Sequence, residues 1–125
     1  MKNSKTKRGM LAPLSARDAT IKFFYELFNR RFSDADRSIK KIREKKFNEA
    51  TFKEGYVHAL EGILLSNRTG DERELYNKLI FESSEIQKYK KEFRNFTVNG
   101  IHSEFDKGFF SAWHDLMHYQ EKKED

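Results

Sequence analysis

A thirteen-residue pattern occurs twice in the chain with the same internal spacing. FKEGYVHALEGIL begins at Phe52 and FDKGFFSAWHDLM begins at Phe105, and both place a glycine three residues after the first phenylalanine and an aromatic residue directly after the glycine. Glycine inside a helix costs about 1 kcal/mol relative to alanine, so its repetition indicates a packing reason. We expect the two helices to cross at these glycines, with their backbones closer than the usual ~8–10 Å, within one chain or across a dimer.

The small residues expected at this crossing lie on one face of each helix. On the first helix they are Gly55, Ala59 and Gly62, and on the second they are Gly108 and Ala112. An old duplication of a helical hairpin would also explain the repeat, but five matched positions are too few to prove it. A ligand held against exposed backbone is the functional alternative to close packing.

The remainder of the chain has helical periodicity and no convincing strand alternation, which predicts an all-α bundle of about five helices. The candidate helices cover residues 16–32, 34–47, 52–66, 71–95 and 104–121. A capping-box pattern precedes the first four, and a serine precedes the fifth. The expected caps are Ser15 with Asp18, Ser33 with Asp36, Thr51 with Glu54, Asp71 with Glu74, and Ser103.

Composition divides the chain into three expected regions. Residues 1–14 are basic and lack apolar periodicity, residues 15–121 form a single helical domain, and residues 122–125 are a charged tail. We therefore expect a flexible basic arm ahead of the bundle. Only 37% of the residues are hydrophobic, but 14% are aromatic, and these large rings supply a core.

Several classes of protein are disfavoured by what the sequence lacks. No cysteine occurs, which excludes disulfides, thiolate metal sites and cysteine nucleophiles. The longest apolar runs contain three residues, far too few to cross a bilayer, and no apolar signal segment follows the basic N-terminus. The sequence predicts a cytoplasmic protein with no membrane partner and no cofactor.

Positive charge is concentrated in the N-terminal part. Residues 1–48 hold 14 Lys and Arg against 5 Asp and Glu, a net +9, whereas residues 49–125 hold 11 against 15, a net −4. This asymmetry favours a polyanionic partner, although a solvated lysine-rich surface is the simpler alternative. We expect non-catalytic binding of a nucleic acid, RNA or DNA, or of a ribonucleoprotein such as the ribosome, with RNA or a ribonucleoprotein favoured. The expected contacts are Lys5, Lys7, Arg8, Arg37, Lys40, Lys41, Arg43, Lys45 and Lys46.

Two other hypotheses remain. The first is a protein–protein module, a homodimer that uses spare apolar surface of the first or fourth helix. The second is a metal-dependent enzyme, because His114 and His118 in HDLMH share a helix face, as the two histidines of zinc peptidases do. Asp115 replaces the glutamate of that motif, and a third ligand would have to come from elsewhere, with Glu61 as the candidate. The simpler interpretation is two histidines on the surface or rim of a wet helix end.

GYVHALEG and the later FDKGFFSAWHDLM resemble a pattern in small uncharacterised archaeal all-helical proteins, over roughly the C-terminal 70 residues. The resemblance implies a cytoplasmic archaeal protein. No catalytic residue follows from it.

Overall fold

The computed structural model of the protein describes residues 6–69, 83–98 and 103–122. Over these ranges the chain forms five α-helices and no strand, so the predicted all-α bundle is confirmed. The helices are α1 (Leu14–Phe28), α2 (Phe32–Glu44), α3 (Ala50–Thr69), α4 (Ser83–Val98) and α5 (Glu104–Lys122). The predicted start of the fourth helix, at residue 71, lies outside the described residues.

A short turn joins α1 and α2 into a hairpin. α1 ends at Phe28, four residues earlier than predicted, because Arg30 adopts a left-handed conformation with φ of 57°, which interrupts the helix. At the other end of the hairpin, the Ser15 hydroxyl donates a hydrogen bond to the Lys46 carbonyl over 2.6 Å. The two helices are therefore antiparallel neighbours, tied together where α1 begins and α2 ends.

The capping predictions succeed at one helix and fail at three. Ser103 caps α5, since its Oγ accepts the N–H of Asp106 at 3.1 Å. α1 and α2 begin earlier than expected, after Pro13 and Arg31, and neither has a side-chain cap, so the predictions for Ser15 and Ser33 are wrong. The prediction for Thr51 is also wrong, because α3 begins at Ala50. The pair Asp71 and Glu74 lies outside the described residues.

α3 and α5 cross at Gly55 and Gly108 within one chain. A Cβ atom placed on Gly55 would lie 2.8 Å from the carbonyl carbon of Phe105 and closer still to its oxygen. A Cβ atom placed on Gly108 would meet the carbonyl group of Phe52 in the same way. The repeated motif thus has the packing cause that the sequence predicts: each glycine leaves room for the backbone of the other helix.

The two helices are equivalent only at the crossing itself, and the helices around them pack differently. Ala59 and Ala112 are buried near it, and Gly62 is half-buried. α4 packs extensively along α5, whereas α2 packs less extensively against α3. The two hairpins that a duplication would relate are therefore packed differently, and duplication stays a hypothesis.

α5 is the central helix, and every residue from 111 to 120 is buried. α3 and α4 cover most of it, and α1 contacts it as well. Aromatic pairs join α4 to α5, with ring centroids 5.7 Å apart for Phe93 and Trp113 and 4.3 Å apart for Phe96 and Phe110. None of the described helices is long and apolar enough to cross a membrane.

Residues 6–12 pack against the bundle, whereas the sequence led us to expect a flexible arm there. Thr6, Met10 and Ala12 are 5%, 3% and 0% exposed. Arg17 of α1 also holds this segment, because its guanidinium donates hydrogen bonds to the carbonyl oxygens of Lys7, Met10 and Ala12. The helical domain therefore includes residues from 6 onward, and residues 1–5 lie outside the description.

The crossing predicts that Gly55→Ala and Gly108→Ala each destabilise the fold. Alanine favours the helix by about 1 kcal/mol, but forcing two backbones apart costs typically ~1–3 kcal/mol or more, so we expect a net loss. Urea denaturation of each variant measures it. Glu54→Ala, an exposed neighbour in the same turn, is the control and should change the free energy of unfolding by less than about 0.5 kcal/mol. Equal stability of Gly55→Ala and Glu54→Ala would contradict the crossing.

Candidate functional site

The HDLMH segment of α5 forms a buried polar cluster around Asp115, which has no exposed surface. Its Oδ1 accepts the N–H of Leu11 at 2.7 Å and lies 3.0 Å from Nδ1 of His114. Its Oδ2 accepts the N–H of Ala12 at 3.0 Å and the hydroxyl of Tyr56 at 2.7 Å. Both oxygens are thus fully used inside the protein, which is the condition for burying a carboxylate at tolerable cost.

Tyr56 is held as a neutral donor in this cluster. Burial raises the pKa of its hydroxyl well above the ordinary value, and the charge and hydrogen bond of Asp115 raise it further. Because α3 supplies Tyr56, the carboxylate joins α3 and α5 to the N-terminal segment. This contact lies beside the glycine crossing, which brings the two helices close enough for it to form.

His118 anchors the start of the described chain. Its Nε2 lies 2.9 Å from the carbonyl oxygen of Thr6, so Nε2 carries the proton and donates. The other ring nitrogen, Nδ1, is buried without a hydrogen-bond partner in the described part of the chain. Burial, and then the charge of Lys90, lower the pKa of His118. A backbone hydrogen bond at Arg8 and the charge of Asp115 act in the opposite direction, but the net shift of the pKa is downward.

The predicted rim location of the two histidines is wrong. His114 and His118 are each 2% exposed, since the N-terminal segment covers the helix end that we expected to be wet. Glu61, the candidate third ligand, instead pairs with Arg43. Within residues 6–69, 83–98 and 103–122, no three His, Asp or Glu side chains gather as a metal-binding group. HDLMH in this structure holds the N-terminal segment in place.

A different site lies on the α1–α2 hairpin, where a groove of about 620 Å³ opens between the two helices. This volume is within the ~300–1,000 Å³ typical of ligand pockets. Two helix faces form its walls because residues three and four apart share a face of a helix. The lining residues are Lys22, Tyr25 and Glu26 of α1, Arg31 of the turn, and Asp34, Arg37, Ser38 and Lys41 of α2.

Charge in the groove is predominantly positive and partly fixed in position. Asp34 holds both arginines: its Oδ2 accepts from Arg31 at 2.7 Å, and its Oδ1 accepts from Arg37. A guanidinium carries five N–H donors, so each arginine keeps most of them for a ligand. Lys22 and Lys41 have no acidic partner among the residues described. Four cations against two carboxylates make this groove suited to an anionic ligand.

Only two of the contacts expected from the sequence, Arg37 and Lys41, line this groove. Three of the others have an acidic partner outside it: Lys7 pairs with Asp18 at 3.1 Å, Lys40 lies 4.0 Å from Asp36, and Arg43 pairs with Glu61. Arg8, Lys45 and Lys46 are exposed and have no acidic partner in the described ranges, and Lys5 lies outside these ranges. The groove therefore gathers two of the nine expected contacts, together with Lys22 and Arg31.

Sequence reasoning missed the α1 wall of the groove. Helical periodicity places Tyr25 within the apolar stripe of the first helix, but it is 50% exposed. Lys22 and Glu26, one turn apart, mark a polar face opposite that stripe, and this spacing was the available signal. Arg31 is visible in the sequence as a cation, but its place beside Asp34 depends on the turn at Arg30.

Comparison with known proteins gives no relative from which a function could be transferred. No protein-family model, curated protein or solved structure matches the chain. The resemblance to archaeal helical proteins therefore stays a prediction, and function has to be inferred from the residues themselves.

Asp115→Asn should loosen the N-terminal segment. The amide offers one acceptor oxygen where two are needed, and each buried donor left without an acceptor costs roughly 1–3 kcal/mol. We expect lower stability to urea, and faster tryptic cleavage after Lys7 and Arg8 under native conditions. Asp106→Asn, in the first turn of the same helix, is the matched control and should leave the cleavage rate unchanged. Unchanged cleavage in Asp115→Asn would show that the segment is held by other contacts.

His118 should make stability depend on pH. Its folded pKa is below the ordinary 6.5, so the unfolded chain takes up the proton first as pH falls. The contribution of His118 to the free energy of unfolding is complete above pH 6.5. It decreases below that pH, by at most about 1.4 kcal/mol per pH unit. The measurement is urea unfolding at pH values of about 7.5 and 5.5, on either side of the ordinary histidine pKa. His118→Gln keeps a donor for Thr6 but cannot titrate, so its free energy of unfolding should fall less between the two pH values than that of the parent. His58→Gln, at an exposed position, is the control and should lose as much stability as the parent.

Proposed function

We propose that this protein binds nucleic acid without catalysis, with RNA or a ribonucleoprotein such as the ribosome as the partner. The observation that carries the proposal is the convergence of Lys22, Arg31, Arg37 and Lys41 on one groove. Phosphate groups are bound in proteins by such sets of arginine and lysine, with arginine supplying paired donors in a fixed plane.

The arrangement of the arginines supports a phosphate ligand over a merely solvated basic surface. A solvated arginine extends freely into water, whereas Asp34 holds Arg31 and Arg37 on either side of one carboxylate. This fixed geometry lowers the entropy lost when a phosphate is bound. The lysines, which lack such a restraint, add charge that adjusts to the ligand.

The remaining exposed cations extend the same attraction along the hairpin. Lys45 and Lys46 follow α2, about 6 Å or one helical turn beyond Lys41 along the chain. The folded N-terminal segment leaves Arg8 exposed as well. We therefore assign the main phosphate contacts to the groove and treat these residues as a secondary, weaker source of attraction.

The homodimer hypothesis lacks a comparable observation. The largest exposed apolar side chains of the described residues are on different helices, and they include Leu14 of α1, Leu65 of α3 and Val98 of α4. A metal-dependent reaction is not favoured, because the two histidines that suggested it are used within the core.

Binding to a single-stranded RNA twelve-mer should fall steeply with salt, and the double variant Lys22→Gln, Lys41→Gln should reduce both the affinity and the salt slope. Each phosphate on a single strand that is no longer neutralised lowers the slope of log K against log salt by about 0.7, so two lysines remove about 1.4. Fluorescence anisotropy across a salt series measures both quantities.

The matched control is Lys45→Gln, Lys46→Gln, which removes the same charge outside the groove. We expect it to lower the slope less than the groove variant does. Equal effects of the two variants would show that net charge alone attracts the strand and that the groove is not the site. Affinity that does not change with salt would refute nucleic-acid binding through phosphates altogether.

A further inference from the structure

A buried glutamate lies at the bottom of the cationic groove. Glu26 lines the groove and is only 3% exposed. Its Oε1 accepts the hydroxyl of Ser38 at 2.6 Å, which ties α1 to α2. Its Oε2 has no hydrogen-bond partner among the described residues. One carboxylate oxygen is thus available to whatever enters the groove.

This oxygen restricts the ligand. A phosphate placed against a carboxylate would be repelled, so the group that reaches Glu26 must instead offer an N–H or O–H donor. The arginines and lysines nearer the rim require an anion at the same time. A ligand that satisfies both carries a negative group and, a short distance away, a neutral donor.

An exposed aromatic ring lines the same groove as the carboxylate and the cations. Tyr25 also lines the groove, and half of its surface is exposed although it is a large, mostly apolar side chain. Base–aromatic stacking contributes roughly 1–3 kcal/mol per base and is a common means of holding single strands. A flat ring, a carboxylate acceptor and a set of phosphate-binding cations together match the face of a base, a donor on its edge and the phosphate of a nucleotide.

We propose that the groove reads one unpaired base of a single strand, with a preference for bases that carry an exocyclic amino group. The base stacks on Tyr25, its amino group donates to Oε2 of Glu26, and its phosphates lie against the arginines and lysines. This inference rests on the proposed nucleic-acid function and adds a specificity to it. Glu26 is the specificity-determining residue.

Cytosine and uracil give the sharpest comparison. They are pyrimidines of the same size, but cytosine presents an N4 amino donor where uracil presents the O4 acceptor. A carboxylate accepts from the first and repels the second. Short strands of cytidine should therefore bind more tightly than uridine strands of equal length, on the order of tenfold at one salt concentration.

The test measures the affinities of C9 and U9 RNA for the full chain and for Glu26→Gln by fluorescence anisotropy. The deoxy strands dC9 and dU9 form a parallel arm that tells whether the sugar matters. In the variant, the amide oxygen still accepts from Ser38, so its NH₂ group faces the groove and donates to uracil O4. We expect the ratio of the two affinities to fall to about one or to invert, while overall affinity stays the same or rises because a negative charge is lost.

Two further variants separate base reading from a structural role. Ser38→Ala removes the hydrogen bond between the helices but keeps the carboxylate, so it should keep the preference for cytidine. Tyr25→Leu should weaken C9 and U9 by the same factor, because stacking does not distinguish them. A purely structural Glu26 would change stability and both affinities together, and would leave their ratio unchanged.

The outcomes distinguish this inference from the proposed function. Equal binding of C9 and U9 to the parent protein, still weakened by salt, would overturn base reading and leave phosphate binding in place. Absence of binding to either strand would overturn both. If Glu26→Gln does not fold, the parent protein and Tyr25→Leu still test the inference. Equal affinities of the parent for C9 and U9 are sufficient to reject it.

Discussion

The fold depends on one buried carboxylate that joins parts of the chain far apart in sequence. Asp115 accepts hydrogen bonds from the N-terminal segment, from α3 and from its own helix. Because residues 111–120 of α5 are enclosed by the elements packed around them, a charged side chain there needs hydrogen-bond partners in the protein. The N-terminal segment supplies backbone N–H groups for this purpose, and in doing so it becomes part of the bundle. A chain that is more than a third charged thus keeps the carboxylate of Asp115 fully hydrogen-bonded in its interior.

The sequence was informative where a local pattern determines the structure. Helical periodicity predicted the five helices, and the repeated glycines predicted the crossing of α3 and α5, since a residue without a Cβ lets another backbone approach closely. The anchoring by Asp115 could not be predicted in this way. Two of its donors are backbone N–H groups more than a hundred residues distant, and a backbone N–H has no residue signature. The basic composition of residues 1–14 therefore suggested a free arm.

The groove on the α1–α2 hairpin could not be predicted from the sequence either. Charge counts identified the basic N-terminal part of the chain, but they could not tell a cation facing a groove from one neutralised by a neighbour. Arg43 and Arg37 look equivalent in sequence, yet Arg43 pairs with Glu61 on another helix, whereas Arg37 shares Asp34 with Arg31 at the groove. Which face of α1 meets which face of α2 is set by the turn at Arg30. Only the packed hairpin brings Glu26 to the bottom of a cationic site.

The helix crossing at Gly55 and Gly108 has a consequence for which substitutions this protein can accumulate. In most tightly packed cores, a larger side chain at one position can be accommodated by a smaller one opposite, so second-site suppressors are readily found. Here each glycine faces a peptide carbonyl of the other helix, and every residue has the same carbonyl. No replacement of a neighbouring side chain can restore the missing space. Genetic selection for revertants of either substitution should therefore yield the original glycine, or changes that shift a whole helix.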